Sequence, residues 1–197
     1  AGQVMGAQPV YDCYQHIHYE IGHDCPVIAM SPKGRTFSQG IAKELSLNQD
    51  MILLCGHYEG IDQRVLDEIV TDYISIGDFV LTGGELAACI VVDCVSRLIP
   101  GVLGNDESAE TESFENDLLE YPQYTRPEEW NGKQVPEILM SGNHRLVDEW
   151  RLEKSIERTR SLRPDLFQKA LPGLRSSLSN RLKKKFLKRE EIYDNMS

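Results

Sequence analysis

At 197 residues with 41% hydrophobic content, the chain can bury a substantial core and accommodate one domain plus a smaller second one. It has no run of 18 or more apolar residues, and Ala1 to Gly6 has neither the basic nor the apolar region of a signal peptide, so the sequence excludes a membrane-spanning helix and predicts a cytoplasmic protein. The formal net charge of −10 would oppose a nucleic-acid partner if it were spread evenly, but residues 1–140 hold 7 Lys and Arg against 23 Asp and Glu, a net of −16, whereas 141–197 hold 14 against 8, a net of +6.

From Gln8 to His23, Val10, Tyr11, Tyr14, Ile17 and Ile21 recur at helical spacing, and Gly22 supplies a stop. Pro26 to Met30 is a short buried-strand run, broken by the turn Ser31-Pro32-Lys33-Gly34. Phe37 to Leu47 reads as a helix, Met51 to Cys55 as a strand, Ile61 to Val70 as a helix, Asp72 to Ile76 as a strand, and Gly84 to Leu98 as a long apolar helix. Strands alternating with helices predict an α/β fold with a parallel sheet covered on both faces. No strand precedes the first helix, and a βαβ unit needs roughly 30 residues, so a missing N-terminal segment is expected.

Beyond Pro100 the composition changes. Asn105-Asp106-Glu107-Ser108 and Glu110-Thr111-Glu112-Ser113 form an acidic polar stretch of linker character. The predicted organisation is a domain over 1–104, a linker or active-site loop over 105–121, and a helical domain over 122–197 whose cations (Arg151, Arg158, Arg160, Arg163, Arg175, Arg181 and the cluster Lys183 to Arg189) suit either a solvated face or an RNA backbone. The five cysteines (Cys13, Cys25, Cys55, Cys89, Cys94) never form Cys-x-x-Cys, so neither a disulfide nor a metal site is expected.

Neither Gly-x-Gly-x-x-Gly nor a P-loop occurs. Instead, glycine-bearing loops follow three consecutive strands: Ser31 to Gly34, Gly56 to Gly60, and Ile76 to Leu81. Ligands of open parallel sheets bind just outside the carboxyl ends of strands, so three such loops predict one small-ligand pocket.

The ordered motifs Ser-Pro-x-Gly-Arg, Cys-Gly-x-Tyr-Glu-Gly-Ile-Asp, Ser-Ile-Gly-Asp-x-Val-Leu-x-Gly-Gly-Glu, Ser-Arg-x-Ile-Pro-Gly-Val-Leu-Gly, Tyr-Thr-Arg-Pro and Ser-Gly-Asn-His, running from about Gly2 to about Arg163, closely resemble the bacterial tRNA (guanine-N1) methyltransferase family of the SPOUT class. The resemblance implies a SPOUT parallel sheet with a trefoil knot, followed by a small all-α C-terminal domain that grips the tRNA anticodon branch. It further implies a homodimer with shared active sites. The cofactor would be S-adenosylmethionine, bound by Met30, Ser31 and Pro32, by Gly56, Tyr58, Glu59 and Gly60, and by Ile76, Gly77, Asp78, Phe79, Val80, Leu81, Gly83 and Gly84. Glycines there let the backbone approach the ligand, and Ile76 and Leu81 offer apolar walls.

The implied reaction methylates N1 of the guanosine on the 3′ side of the anticodon. Guanine N1 carries a proton, so a base must stand near N1 and a cation near O6, where negative charge develops. The family arginine falls on Arg97, and the family aspartate falls where Glu112-Ser113-Phe114 replaces Asp-Ser-Phe. Glutamate keeps the carboxylate, with a solution pKa of about 4.3 against 3.9, while its extra methylene shifts the oxygens by on the order of an ångström, a displacement that can cost about a hundredfold in rate. Asp106 and Asp117 are alternative carboxylates if the loop register differs. Arg126, His144, Arg151 and Arg158 are the candidate RNA contacts; Gln123 stands where the family carries histidine, and His57 where it commonly carries arginine or histidine. The same fold class also accommodates ribose 2′-O methylation or a non-catalytic RNA- or cofactor-binding remnant.

Overall fold

Three apolar runs form one parallel sheet with β1 (Val27–Thr36) between β2 (Ile52–Cys55) and β3 (Asp72–Ser75). The computed structural model describes residues 3–103 and 113–187, and the chain divides into two compact units, Ala1–Asp106 and Glu107–Ser197.

In the first unit, neighbouring residues of each strand point to opposite faces, and both faces are covered. Val27, Ile52 and Leu54 pack with Val10 of α1 (Ala7–Ile21) and with Val65 and Ile69 of α3 (Gln63–Ile69). Ile28, Leu53 and Ile74 pack on the other face with Ala42 and Leu45 of α2 (Gln39–Leu45) and with Val91 and Val95 of α4 (Glu85–Ser96). A sheet buried on both sides needs continuous apolar strands, and Val27, Ile28 and Ala29 are all at most 5% exposed.

β1 does not end at the expected turn. Met30 and Arg35 both register with Ile74 of β3, so Ser31 to Gly34 form a four-residue excursion within one strand, which resumes at Arg35 and Thr36. Two residues make the resumption possible. A Cβ on Gly34 would overlap the backbone of Tyr73 and Ile74, so only glycine permits this approach. Arg35 then fastens the returning strand with 2.8 Å hydrogen bonds to both carboxylate oxygens of Glu44 in α2 and a 2.9 Å bond from Nε to Asp72 in β3. The Arg35 guanidinium holds the Glu44 carboxyl below its ordinary range.

The second unit has its own core. Ile156 of α5 (His144–Leu162), Phe167, Leu171 and Leu174 of α6 (Pro164–Ser177), and Leu182 and Phe186 of α7 (Asn180–Phe186) bury one another around Leu118. Thr159, fully buried, accepts from the Leu119 amide at 2.8 Å and donates to the Ser155 carbonyl at 2.7 Å, pinning the incoming segment to α5. A hairpin, β4 (Glu129–Trp130) with β5 (Lys133–Gln134), accompanies the helices, an element absent from the helical expectation for 122–197.

Much of the basic tail is used inside this unit. Glu149, Glu153 and Glu157 line one face of α5 at four-residue spacing. Arg181 bridges the first two at 3.0 and 2.8 Å, and Lys185 bridges the second two. Arg163 pairs with Asp165 at 2.6 Å. Burial raises the Glu153 carboxyl, but its bonds to Lys185 and Arg181 outweigh that and hold it below its ordinary range; Glu157 is held low by Lys154 and Lys185. Depressed carboxyls supply stability that is complete above the unfolded pKa of about 4.3 and is lost as pH falls through the lower folded value. Glu153→Gln should therefore lower stability by about 1 kcal/mol at neutral pH, with the difference from wild type closing in acid. Thermal melts between neutral and strongly acidic pH check this; a pH-independent difference would contradict it.

Candidate functional site

The excursion within β1 and the loops at the carboxyl ends of β2 and β3 line a cleft of about 360 Å³, within the range of small-ligand sites. Met30 reaches it as the last residue of β1 in register before the excursion, and Ser31 and Pro32 as the first two residues of the excursion itself. Gly56, Tyr58, Glu59 and Gly60 come from the loop after β2, and Ile76, Gly77, Phe79, Val80, Leu81, Gly83 and Gly84 from the loop after β3. Asp78, the remaining expected member, is exposed and not part of this lining.

Hydrogen bonds lock the loops to one another. The Gly84 amide donates to the Gly56 carbonyl at 3.0 Å, and His57 and Gly83 form an antiparallel bridge. Buried Ser75 accepts from the Gly77 amide at 3.2 Å and donates back to its carbonyl at 3.1 Å, turning the chain sharply as it leaves β3. Gly60 donates to the His57 carbonyl at 3.1 Å, holding Tyr58, 68% exposed beside the cleft, at a left-handed φ of 58°.

Space explains the glycines. A Cβ on Gly84 would lie 2.9 Å from the Cys55 Cα, forcing the start of α4 away from the end of β2. One on Gly83 would strike the His57 ring, and one on Gly77 the Phe79 ring at 2.6 Å. The walls are apolar: Ile74 and Ala87, which the sequence reading did not include, join Ile76 and Leu81. His57, Ser75 and Thr82 also line the cleft, and His57 Nδ1 lies 3.2 Å from Glu85 Oε1. His57 lies inside a quoted motif, so its position in the loop was the available signal.

Other motif residues support the frame. Asp62 caps α3, accepting from the Arg64 amide at 3.0 Å, and the Arg64 guanidinium helps hold its carboxyl down at about 2. Asn143 of Ser-Gly-Asn-His caps α5 through the Leu146 amide at 3.3 Å, leaving His144 exposed in the first turn.

Arg97 is the exposed C-cap of α4. That helix begins at the cleft, where Gly84 and Ala87 line it, and its 12 residues carry Arg97 roughly 18 Å along the axis from that end. Glu112 lies outside the described residues. In the second unit Arg126 and Arg158 are exposed and make no ion pair among the described residues, while Arg151 stacks over Tyr121 at 4.9 Å.

The family profile described as tRNA (Guanine-1)-methyltransferase TrmD matches residues 1–169. The protein of Lachnospira eligens named tRNA (guanine-N(1)-)-methyltransferase is 60% identical over 168 residues, covering 85% of this chain and 71% of that protein. Proteins of the same name from Clostridioides difficile and Ruminiclostridium cellulolyticum are 58% and 56% identical, covering 86% and 85% of this chain and 74% and 72% of their own.

Proposed function

The chain belongs to the tRNA (guanine-1)-methyltransferase family, TrmD, and from that premise we propose that it transfers the methyl group of S-adenosylmethionine from the three-loop cleft to N1 of a tRNA guanine. The substrate is the guanosine immediately 3′ of the anticodon, and the reaction runs in the cytoplasm. The carrying observation is the cleft itself: its volume, its apolar walls and three glycines, Gly77, Gly83 and Gly84, that let the framing loops pack closely around it suit a nucleoside-sized ligand read by backbone groups. Bound there, S-adenosylmethionine supplies an electrophilic methyl on its sulfonium.

The residues of this chain do the rest. Ile76, Leu81 and Ala87 exclude water from the adenosyl group, and the backbone of the loops after β2 and β3 reads its polar edge. Glu112 takes the proton from guanine N1, and Arg97 faces O6 as negative charge develops. The reading carries the SPOUT class and its trefoil knot, supported by the return of residues 76–84 onto the loop after β2 through the His57–Gly83 bridge. It also carries a helical tRNA-binding domain beyond the 105–121 loop, supported by α5, α6 and α7.

The reading also carries a homodimer with shared sites, supported by α4. Arg97 is too far along the helix to reach the cleft of its own chain, yet it shares a helical face with Leu86, 65% exposed, and Ile90, 44% exposed. A second copy packed antiparallel along α4 buries this apolar stripe and delivers its Arg97 to the neighbouring cleft. Among the described residues, no helix is long and apolar enough to cross a membrane.

The test is transfer of a labelled methyl group to a tRNA transcript with guanosine after the anticodon, against one with adenosine there. Labelling of the first alone is expected. Equal labelling of both, or none while calorimetry reports cofactor binding, would overturn the assignment.

A further inference from the structure

Among the cavities, a groove in the second unit lies outside the cofactor cleft and is larger than it, about 1040 Å³, between the segment 121–128 and the first turns of α5. Its lining is unusual for an unused surface. Tyr124, 44% exposed, faces Trp150 at 6.3 Å between ring centroids, and Tyr121 lies under the Arg151 guanidinium at 4.9 Å. The Arg151 Nε is buried with no hydrogen-bond partner, so stacking, together with a 3.5 Å contact to Asp148, fixes the guanidinium, and its side chain remains 42% exposed. Arg126 on the rim makes no ion pair among the described residues; Glu128 is the acidic member of the lining.

Stacked aromatics with a free guanidinium at the edge bind unpaired bases: every base offers a π-face, and the arginine meets the phosphate. We propose that this groove captures one unpaired nucleotide of the tRNA, its base stacked on Tyr124 beside Trp150 and its phosphate met by Arg126. The inference rests on the tRNA methyltransferase reading and adds a second point of contact, separate from the base that is methylated. Tyr124 is tilted 52° from Trp150 and is 44% exposed, so a flat base stacks on its open face, and an aliphatic peptide side chain would leave Arg126 without an acceptor. A fully paired helix buries its bases in the stack, so the groove selects a looped-out nucleotide.

Trp130 lies outside the groove and is 68% exposed, and the chain has two tryptophans, so Trp130→Phe leaves Trp150 as the sole emitter. Titration of this variant with an unmodified tRNA transcript should quench Trp150 emission, and a fully paired RNA duplex of similar length should not. Tyr124→Ala should raise Kd and KM for tRNA roughly 5- to 100-fold, the loss of one base–aromatic stack, with kcat within about twofold. Tyr124→Phe should restore wild-type affinity, and calorimetry should give unchanged S-adenosylmethionine binding in both variants, which separates a stacking role from a folding one. Transfer to tRNA that proceeds with no change in Trp150 emission, or with Tyr124→Ala unaltered in KM, overturns the groove and leaves the methyltransferase reading standing. Absence of transfer by the wild-type chain instead overturns that reading.

Discussion

Glu112→Ala is expected to lower methyl transfer by about 10²- to 10⁴-fold, and Arg97→Ala by about 10²- to 10³-fold, each with S-adenosylmethionine affinity within about twofold of wild type by calorimetry. The first loss follows from guanine itself: N1 is a poor nucleophile until its proton leaves, and that proton needs a carboxylate within hydrogen-bonding reach. Glu112→Asp distinguishes a base from a bystander acid, since it restores the family residue and should retain transfer within roughly a hundredfold. The second loss should be relieved in trans. Arg97 caps the far end of α4 from its own cleft. A chain carrying Arg97→Ala, mixed with one whose cleft wall is made charged by Ile76→Glu, should therefore regain about a quarter of wild-type transfer, because heterodimers hold one complete site. No recovery in the mixture, with both variants folded, would place Arg97 and the cleft in the same chain.

Gly34→Ala should be the most damaging small change in the first unit, lowering its stability by about 3 kcal/mol or more and the melting temperature by on the order of 10 °C. Its added methyl would overlap the backbone of Tyr73 and Ile74, where neither partner can rotate aside. Strand β1 could then not resume at Arg35, and the bonds from Arg35 to Glu44 and Asp72 would be strained or lost. The excursion that brings Ser31 and Pro32 to the cleft would lose its closing point, so cofactor affinity should fall at least tenfold, a loss of about 1.4 kcal/mol. Gly173→Ala is the control: nothing lies within 4 Å of its Cβ inside α6, and the change should stabilise by about 0.5–1 kcal/mol. A Gly34→Ala protein that melts and binds like wild type would contradict this account of the first loop.

The sheet was legible because apolar runs such as Val27 to Met30 and Met51 to Cys55 have no polar face, which only a doubly covered parallel strand tolerates. The loops after β2 and β3 were legible as well, since each follows a strand, whereas the first cleft segment lies within β1. Local punctuation misled at Ser31-Pro32-Lys33-Gly34: proline and glycine mark a turn, but whether the strand ends or only detours depends on Arg35 finding Glu44 and Asp72, contacts far apart in sequence. The hairpin was signalled by Asn131-Gly132, whose φ values of 51° and 73° are those such a turn requires, and the nearby prolines masked it. Net charge overstated the free cations of the tail, although Glu149, Glu153 and Glu157 at spacing four already marked a ladder for Arg181 and Lys185. Thr159 carried no sequence signal, because a helical threonine becomes a clasp only when the Leu119 amide arrives from elsewhere.

Arg35, Asp62 and Asn143 teach a related point. All three sit in the motifs that carry the family resemblance, and all three act by holding strands and helix starts in place. The candidate chemistry is concentrated in fewer residues than the motifs contain: the cleft walls, Arg97 and Glu112.

The most direct measurement digests tRNA treated with the protein and S-adenosylmethionine to nucleosides and identifies the methylated product by mass and retention. The account predicts N1-methylguanosine from the position 3′ of the anticodon, approaching one per tRNA. A 2′-O-methylated nucleoside, or no methylation with cofactor bound, would contradict it.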